Sequence, residues 1–208
     1  SPPASISITI CFFSTRTDLV EKKQIVMEID AGGDKARAFD VEAERIIISK
    51  LIERLGCILV ISEELGCHSY CSEPNYIAIV DPVDGSFNFT VGIPWCAVSI
   101  AIAYYKRDAT MKDIVASVVR SVYTDITYSY SIEEGCLVNG SSAKPSMPEE
   151  VVVGYFEHPQ ALRVLENFWR LYGKRTRVRS LGSAAMELTH LVAMGRALGF
   201  VDARSKLR

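Results

Sequence analysis

Four acids arrive in two pairs, each at the end of an apolar run. Residues 57–62 (Cys-Ile-Leu-Val-Ile-Ser) lead into Glu63-Glu64, and residues 76–80 (Tyr-Ile-Ala-Ile-Val) lead into Asp81, with Asp84 three positions on. Pro82 fixes its own φ and biases Asp81 towards an extended conformation, so the strand ends at Asp81 and the chain turns. Carboxylates held close together need a cation or a shared proton. A hard divalent ion such as Mg²⁺ takes carboxylate oxygens and waters. Gly85 and Ser86 follow, at a turn into a short helical segment, where backbone N–H groups can receive phosphate. Acids for metal beside N–H groups for an anion are the parts of metal-assisted phosphate-ester hydrolysis, in which the ion lowers the pKa of a water and neutralises the leaving oxygen. Each part also has a plainer reading. Asp-Pro and Asp-Gly are ordinary turn chemistry, Ser62-Glu63-Glu64 fits a solvated loop, and Asp40 fits a helix N-cap. Four acids cluster only if the strands of 57–62 and 76–80 end at the same edge.

The elements that must position these residues follow from periodicity. A helix is expected from about Val41 to Leu55, with Ala43, Ile47, Leu51 and Ile48, Ile52, Leu55 on one side and Asp40 as its N-cap. Residues 31–39 before it, with Gly32-Gly33, read as a loop. Strands are expected at 6–13, 24–30, 57–64, 76–81, 97–105, 114–122, 126–131 and 151–156. A polar loop covers 139–150. The run from His158 is a helix with Pro159 early and Gly173 after its end. A strand within 176–182 leads to a helix over 183–195, and 197–203 is the last strand. Strand runs with interspersed helices give a layered α/β arrangement.

At 208 residues the chain is one large domain or two small ones. Its charge of −2 lacks the basic excess of a phosphate-backbone binder, so no nucleic-acid partner is expected. No membrane partner is expected either: the apolar run 6–13 is too short to span a bilayer and lacks the flanks of a signal peptide. The six cysteines, several in apolar runs, are read as reduced, and the protein as cytoplasmic. Cys67, His68 and Cys71 lack the second half of a four-ligand zinc set and are read as a loop.

In order along the chain stand Glu63-Glu64, then Asp81-Pro82-Val83-Asp84-Gly85-Ser86-Phe87-Asn88-Phe89, then Gly92-Ile93-Pro94 and an apolar strand. This long pattern resembles the inositol monophosphatase family of Mg²⁺-dependent, lithium-sensitive phosphatases. The resemblance extends to Asp40 with its following Ala43-Glu44, to 135–140, and to 179–202, and it looks most like archaeal members, some of which also hydrolyse fructose 1,6-bisphosphate. It implies an α/β fold of alternating α-β-α-β-α layers, the sugar-phosphatase arrangement, with its C-terminal part missing. Residues 1–145 would be the first lobe with the metal motifs, and 146–208 an incomplete second α/β lobe.

The same resemblance implies the roles. Glu63, Asp81, Asp84 and the Val83 carbonyl would ligate two or three Mg²⁺, with Glu64 in support. Ser86 would pair with Asp40 to orient the attacking water, with Glu63 also catalytic. Gly85 and Ser86 N–H groups would hold phosphate, and Gly182, Ser183, Ala184 and Asp202 would meet the alcohol part of a small phosphorylated substrate. A homodimer is expected. Three features depart from the family pattern. Residues 1–24 do not look like its opening helix, Arg37 stands where a small hydroxyl residue is common, and the next metal-ligating Asp, in an Asp-x-Ala-x-Gly segment, would fall beyond Arg208. The chain is therefore read as a fragment, with a natural truncation as the alternative. The expected activity is hydrolysis of inositol monophosphate and/or fructose 1,6-bisphosphate. The alternatives are a 3′-phosphoadenosine 5′-phosphate phosphatase, or a catalytically weak metal- or phosphate-binding homologue.

Overall fold

The computed structural model describes residues 35–156, 159, 161–173 and 176–204, without the side chains of 35–38 and 172. The strands expected at 6–13 and 24–30, Cys11 and the Arg37 side chain lie outside that description. The chain divides between Ser142 and Ala143 into two compact units.

The first unit opens with helix α1, Lys35–Leu55. Periodicity and capping chemistry predict a start at Val41 with Asp40 as cap; the helix is already running at Lys35, so Asp40 sits inside it. Lys-Ala-Arg-Ala are strong helix formers, and no Gly or Pro interrupts 35–55. Phe39, Ala43, Ile47, Ile48 and Leu51 are buried, with Ile52 and Leu55 packed at their margin. Gly56, at φ 75°, ends the helix, its N–H donating to the Ile52 carbonyl.

Eight strands follow: β1 (Ile58–Ser62), β2 (Gly66–Ser69), β3 (Tyr76–Asp84), β4 (Ala97–Tyr104), β5 (Ile114–Ser121), β6 (Thr127–Ser131), β7 (Gly135–Val138) and β8 (Ser141–Ser142). They form one sheet in the order β2-β1-β3-β4-β5-β6-β7-β8. From β3 onwards the neighbours are antiparallel, whereas β1 lies parallel to β3. Alternate residues Val60, Ala78, Val80, Ile100, Ile102 and Val118 join the α1 residues in one core. Helix α2, Ser86–Val91, lies between β3 and β4.

Two readings of residues 57–71 are corrected. Gly66–Ser69 is a strand rather than a loop, because it pairs along β1 as the exposed edge of the sheet. The cysteines are not all reduced: Cys57 and Cys71 are joined by a disulfide. The hairpin register sets Leu59 against Ser69, so the next residues on the same face are 57 and 71, with Cα atoms 5.7 Å apart. The His68 ring meets the Leu65 carbonyl. Reduced thiols therefore no longer support a cytoplasmic location, since disulfides persist mainly in oxidising surroundings.

The second unit holds β9 (Val151–Tyr155), helix α3 (Ala161–Tyr172), β10 (Arg177–Arg179) and β11 (Gly199–Asp202). The strands form a parallel sheet in the order β10-β9-β11. Gly154, at φ 148°, lies so close to β11 that a Cβ there would fall 1.8 Å from the Val201 carbonyl oxygen. The helix expected over 183–195 begins as α4, Ala184–Met186, and continues in π-helical form over Glu187–Ala193.

Candidate active site

Register decides whether the acids meet. β1 and β3 run parallel, with Ser62 opposite Val80, so Glu63, just past the end of β1, comes beside Asp81, which stays in the sheet: β3 runs on to Asp84 instead of ending at Asp81 as expected. Asp81 pairs with Ser99 and Asp84 with Ala97, three steps on β3 against two on β4. The extra residue is a β-bulge. Ser99 and Ala97 share a face of β4, and residues directly opposite share a face, so the bulge returns both aspartates to the same side. Pro82 and Val83, the residues of the bulge, are buried.

Helix α1 brings the next acid. Phe39 stacks on Phe89 of α2, ring centroids 4.2 Å apart, which ties α1 to α2 beside Asp40. Asp40 is buried, and its carboxyl is pushed up to about 7, by burial first and then by Glu64 and Glu63. Asp81 is pushed up to about 8, by burial first, then by Asp84 and Glu63, with a backbone hydrogen bond at Val83 offsetting a part. Glu44, one turn after Asp40, is fully buried and also raised, chiefly by burial, with the Ser62 hydroxyl opposing. Sequence reasoning does not single it out; its spacing of four from Asp40, on the same side of α1, is the available signal.

The turn after the acids is built on Gly85, at φ 88° and ψ 37°, where a side chain is disfavoured. Ser86 is the first residue of α2. Phe89 N–H donates to the Gly85 carbonyl, and the buried Asn88 side chain donates to the Trp95 carbonyl at 2.8 Å, pinning the chain beyond Gly92. Asp40 Oδ1 has no hydrogen-bond partner among the described residues, so the expected pairing with Ser86 is not made through that oxygen.

A divalent cation fits these donors by type. They are carboxylates, two of them held partly protonated at neutral pH by their surroundings. Among the described residues no Lys or Arg forms an ion pair with Asp40, Glu63, Glu64 or Asp81. Among the described residues, no three His, Cys, Asp or Glu side chains converge tightly enough to hold an ion. Mutual repulsion spreads carboxylates, and a cation draws them in.

The remaining expected site residues lie in the second unit. Gly182 has φ 82°. Ser183 is a buried N-cap, its hydroxyl accepting from the Met186 N–H, and Ala184 is the first residue of α4. Asp202 ends β11. Its carboxylate accepts from Arg204 Nε at 2.9 Å and is held below the usual range by that guanidinium, which also lies 3.7 Å from the Tyr155 ring centroid.

The fold and its acids define a class: a mixed α/β protein with a large mixed sheet whose carboxylates gather at one strand edge. The chain belongs to the inositol monophosphatase family, whose model matches residues 9–207. It is 38% identical over 173 residues to an inositol-1-monophosphatase of Aeropyrum pernix, covering 81% of this chain and 63% of that protein. It is 34% identical over 185 residues to a fructose-1,6-bisphosphatase of Pyrococcus furiosus, covering 88% and 66%. Among solved structures, an extragenic suppressor protein from Pyrococcus furiosus matches with a TM-score of 0.66 at 28% identity, over 94% of this chain and 76% of that one. The chain thus spans 63% and 66% of the length of these two curated relatives. Among the described residues no helix is long and apolar enough to cross a membrane.

Proposed function

We propose that the protein hydrolyses small phosphomonoesters, inositol monophosphate and/or fructose 1,6-bisphosphate, with Mg²⁺. The observation that carries this reading is the parallel β1–β3 register together with the bulge, which sets Glu63, Asp81 and Asp84 at one edge. Glu63, Asp81, Asp84 and the Val83 carbonyl hold two or three ions, and Glu64 supports them. When bound, Mg²⁺ supplies a water of lowered pKa and neutralises the leaving oxygen. Asp40 and Ser86 orient the attacking water. Gly85 and Ser86 present N–H groups to phosphate, the left-handed Gly85 turning the chain to do so. Gly182, Ser183, Ala184 and Asp202 take the alcohol part; for Asp202 that requires exchanging Arg204 for a hydroxyl. The working state is a homodimer.

The test is phosphate release from both substrates with Mg²⁺, for the wild type and Asp81→Asn. Loss of turnover in the variant is expected; equal turnover would sink the metal assignment. A second reading, metal or phosphate binding without turnover, draws on the absence of three converged ligands among the described residues. Calorimetric binding of Mg²⁺ with no phosphate released would favour it.

A further inference from the structure

Glu44 lies fully buried on α1, and neither of its carboxylate oxygens completes a hydrogen bond among the described residues. A buried acceptor without its bonds is costly, the more so when charged, and such a group calls for an explanation. Two donors stand close. The Ser62 hydroxyl and the Leu65 backbone N–H both come near enough to Glu44 to favour its charged form. They flank the acids of the turn, Ser62 before Glu63-Glu64 and Leu65 after them. Ser62 already accepts from the Glu64 N–H at 3.3 Å, which leaves its own proton for Glu44.

The hairpin holds the shape of this turn by itself. Ser62 pairs with Gly66, and the His68 ring meets the Leu65 carbonyl. How far the turn stands from α1 is a separate matter. Glu64 opposes the charge of Glu44, and Glu64 and Glu63 oppose that of Asp40 one helical turn earlier. Like charges therefore push the turn and α1 apart, while the donors of Ser62 and Leu65 pull them together. Neutralising the acids of the turn with a cation removes part of the push and leaves the pull. The turn then settles, and both donors close on Glu44.

We propose that Glu44 is a positioning residue, the seat on which the Glu63-Glu64 turn closes when a divalent cation is bound, with the Ser62 O–H and Leu65 N–H as the closing bonds. The cation half of the proposal rests on the metal role given above to Glu63; the seating of the turn once its charge is relieved does not. Glu44 acts through the turn, and no bond from it to the cation is required. Glu44 and the whole of the turn belong to the first unit.

The test follows the Leu65 amide by hydrogen exchange, in chelator and in saturating Mg²⁺, for the wild type, Glu44→Gln and Glu44→Asp. Gln keeps an acceptor oxygen at the right reach, whereas Asp keeps the charge but is one methylene short. Mg²⁺ should raise Leu65 protection about tenfold in the wild type and Glu44→Gln, as expected for one completed hydrogen bond, and less than about twofold in Glu44→Asp. By linkage, calorimetry should find Mg²⁺ bound about tenfold more weakly by Glu44→Asp than by the wild type. In chelator, Glu64→Gln should raise Leu65 protection when Glu44 is present and leave it unchanged with Glu44→Asp, with no cation involved. An equal rise with Mg²⁺ in the wild type and Glu44→Asp would overturn the seat. Wild-type Mg²⁺ affinity in Glu44→Asp would do the same, because the charge of residue 44 would then account for its whole effect. A wild type that binds no Mg²⁺ would overturn the metal assignment and the cation half with it, while the Glu64→Gln pair still decides the seat. Should Glu44→Asp lose amide protection in β4 and β5, and so not fold, Ser62→Ala takes its place. That variant keeps Glu44 and removes one closing bond, so Mg²⁺ should bind about fivefold more weakly, and unchanged affinity would overturn the proposal.

Discussion

Replacing Asp81 by Asn should make the metal-free protein more stable. In the fold the Asp81 carboxyl sits at about 8 against an ordinary 3.8, because burial and the charges of Asp84 and Glu63 oppose its ionisation. A carboxyl raised by folding contributes fully below about pH 4, and that contribution is lost as pH climbs to about 8. At pH 7 the loss covers the interval from 3.8 upwards, on the order of 4 kcal/mol at about 1.36 kcal/mol per unit. Asp40, raised to about 7, adds a loss of the same sign over a slightly lower window. The asparagine side chain cannot ionise and escapes its share. The assay is urea unfolding at pH 5, 7 and 9, in chelator and in millimolar Mg²⁺. In chelator the wild type should weaken from pH 5 to 9, and Asp81→Asn should weaken less and exceed it at pH 7. Mg²⁺ at about 100 times its dissociation constant should return about 2.7 kcal/mol to the wild type and much less to the variant. Equal or lower stability of Asp81→Asn in chelator at pH 7 would refute the electrostatic account. An equal Mg²⁺ response in both proteins would refute the metal assignment.

Reducing the Cys57–Cys71 disulfide, which spans 14 positions, should cost about 3 kcal/mol by chain entropy, seen as a melting shift with reductant that Cys57→Ser/Cys71→Ser does not show. Gly85→Ala should cost about 1–2 kcal/mol for the left-handed backbone and weaken phosphate binding measured by calorimetry, whereas a neutral result there would mean the turn can relax. Gly154→Ala cannot be accommodated 1.8 Å from the Val201 carbonyl, so amide protection should vanish from β9 and β11 and persist in β3 and β4; retained protection throughout would show that β11 shifts freely.

The strongly apolar strands and the α1 face were legible because each follows one period over many residues: Ala43, Ile47, Leu51 and Ile48 all point to the core as spaced. The start of α1 was not. Asp40 has the chemistry of an N-cap, yet nothing local distinguishes a capping aspartate from one turned inwards by packing, and Phe39 stacked on Phe89 decides the matter. The acid pairs were visible as residues, but their meeting depended on β1 running parallel to β3, and on the bulge, neither of which is written in any single strand. The disulfide failed to show for a related reason. Cys57 and Cys71 become neighbours only through the pairing of Gly66–Ser69, a short polar edge strand with no apolar alternation to announce it. The Asp202–Arg204 pair needed only the two-residue period of an extended chain and could have been read.

The acids proposed to hold metal, with Asp40 and Glu44, all fall between residues 40 and 84, in α1, the turn between β1 and β2, and β3. Their closure needs only short loops, which are the fastest to form. Repulsion among them then opposes the earliest docking of helix on sheet, not only the finished fold. A divalent ion should act there too, raising the folding rate as well as slowing unfolding, and the folding limb of a chevron with and without Mg²⁺ would read it. In a chain still emerging from the ribosome, the last of these acids, Asp84, is made before any of the second unit.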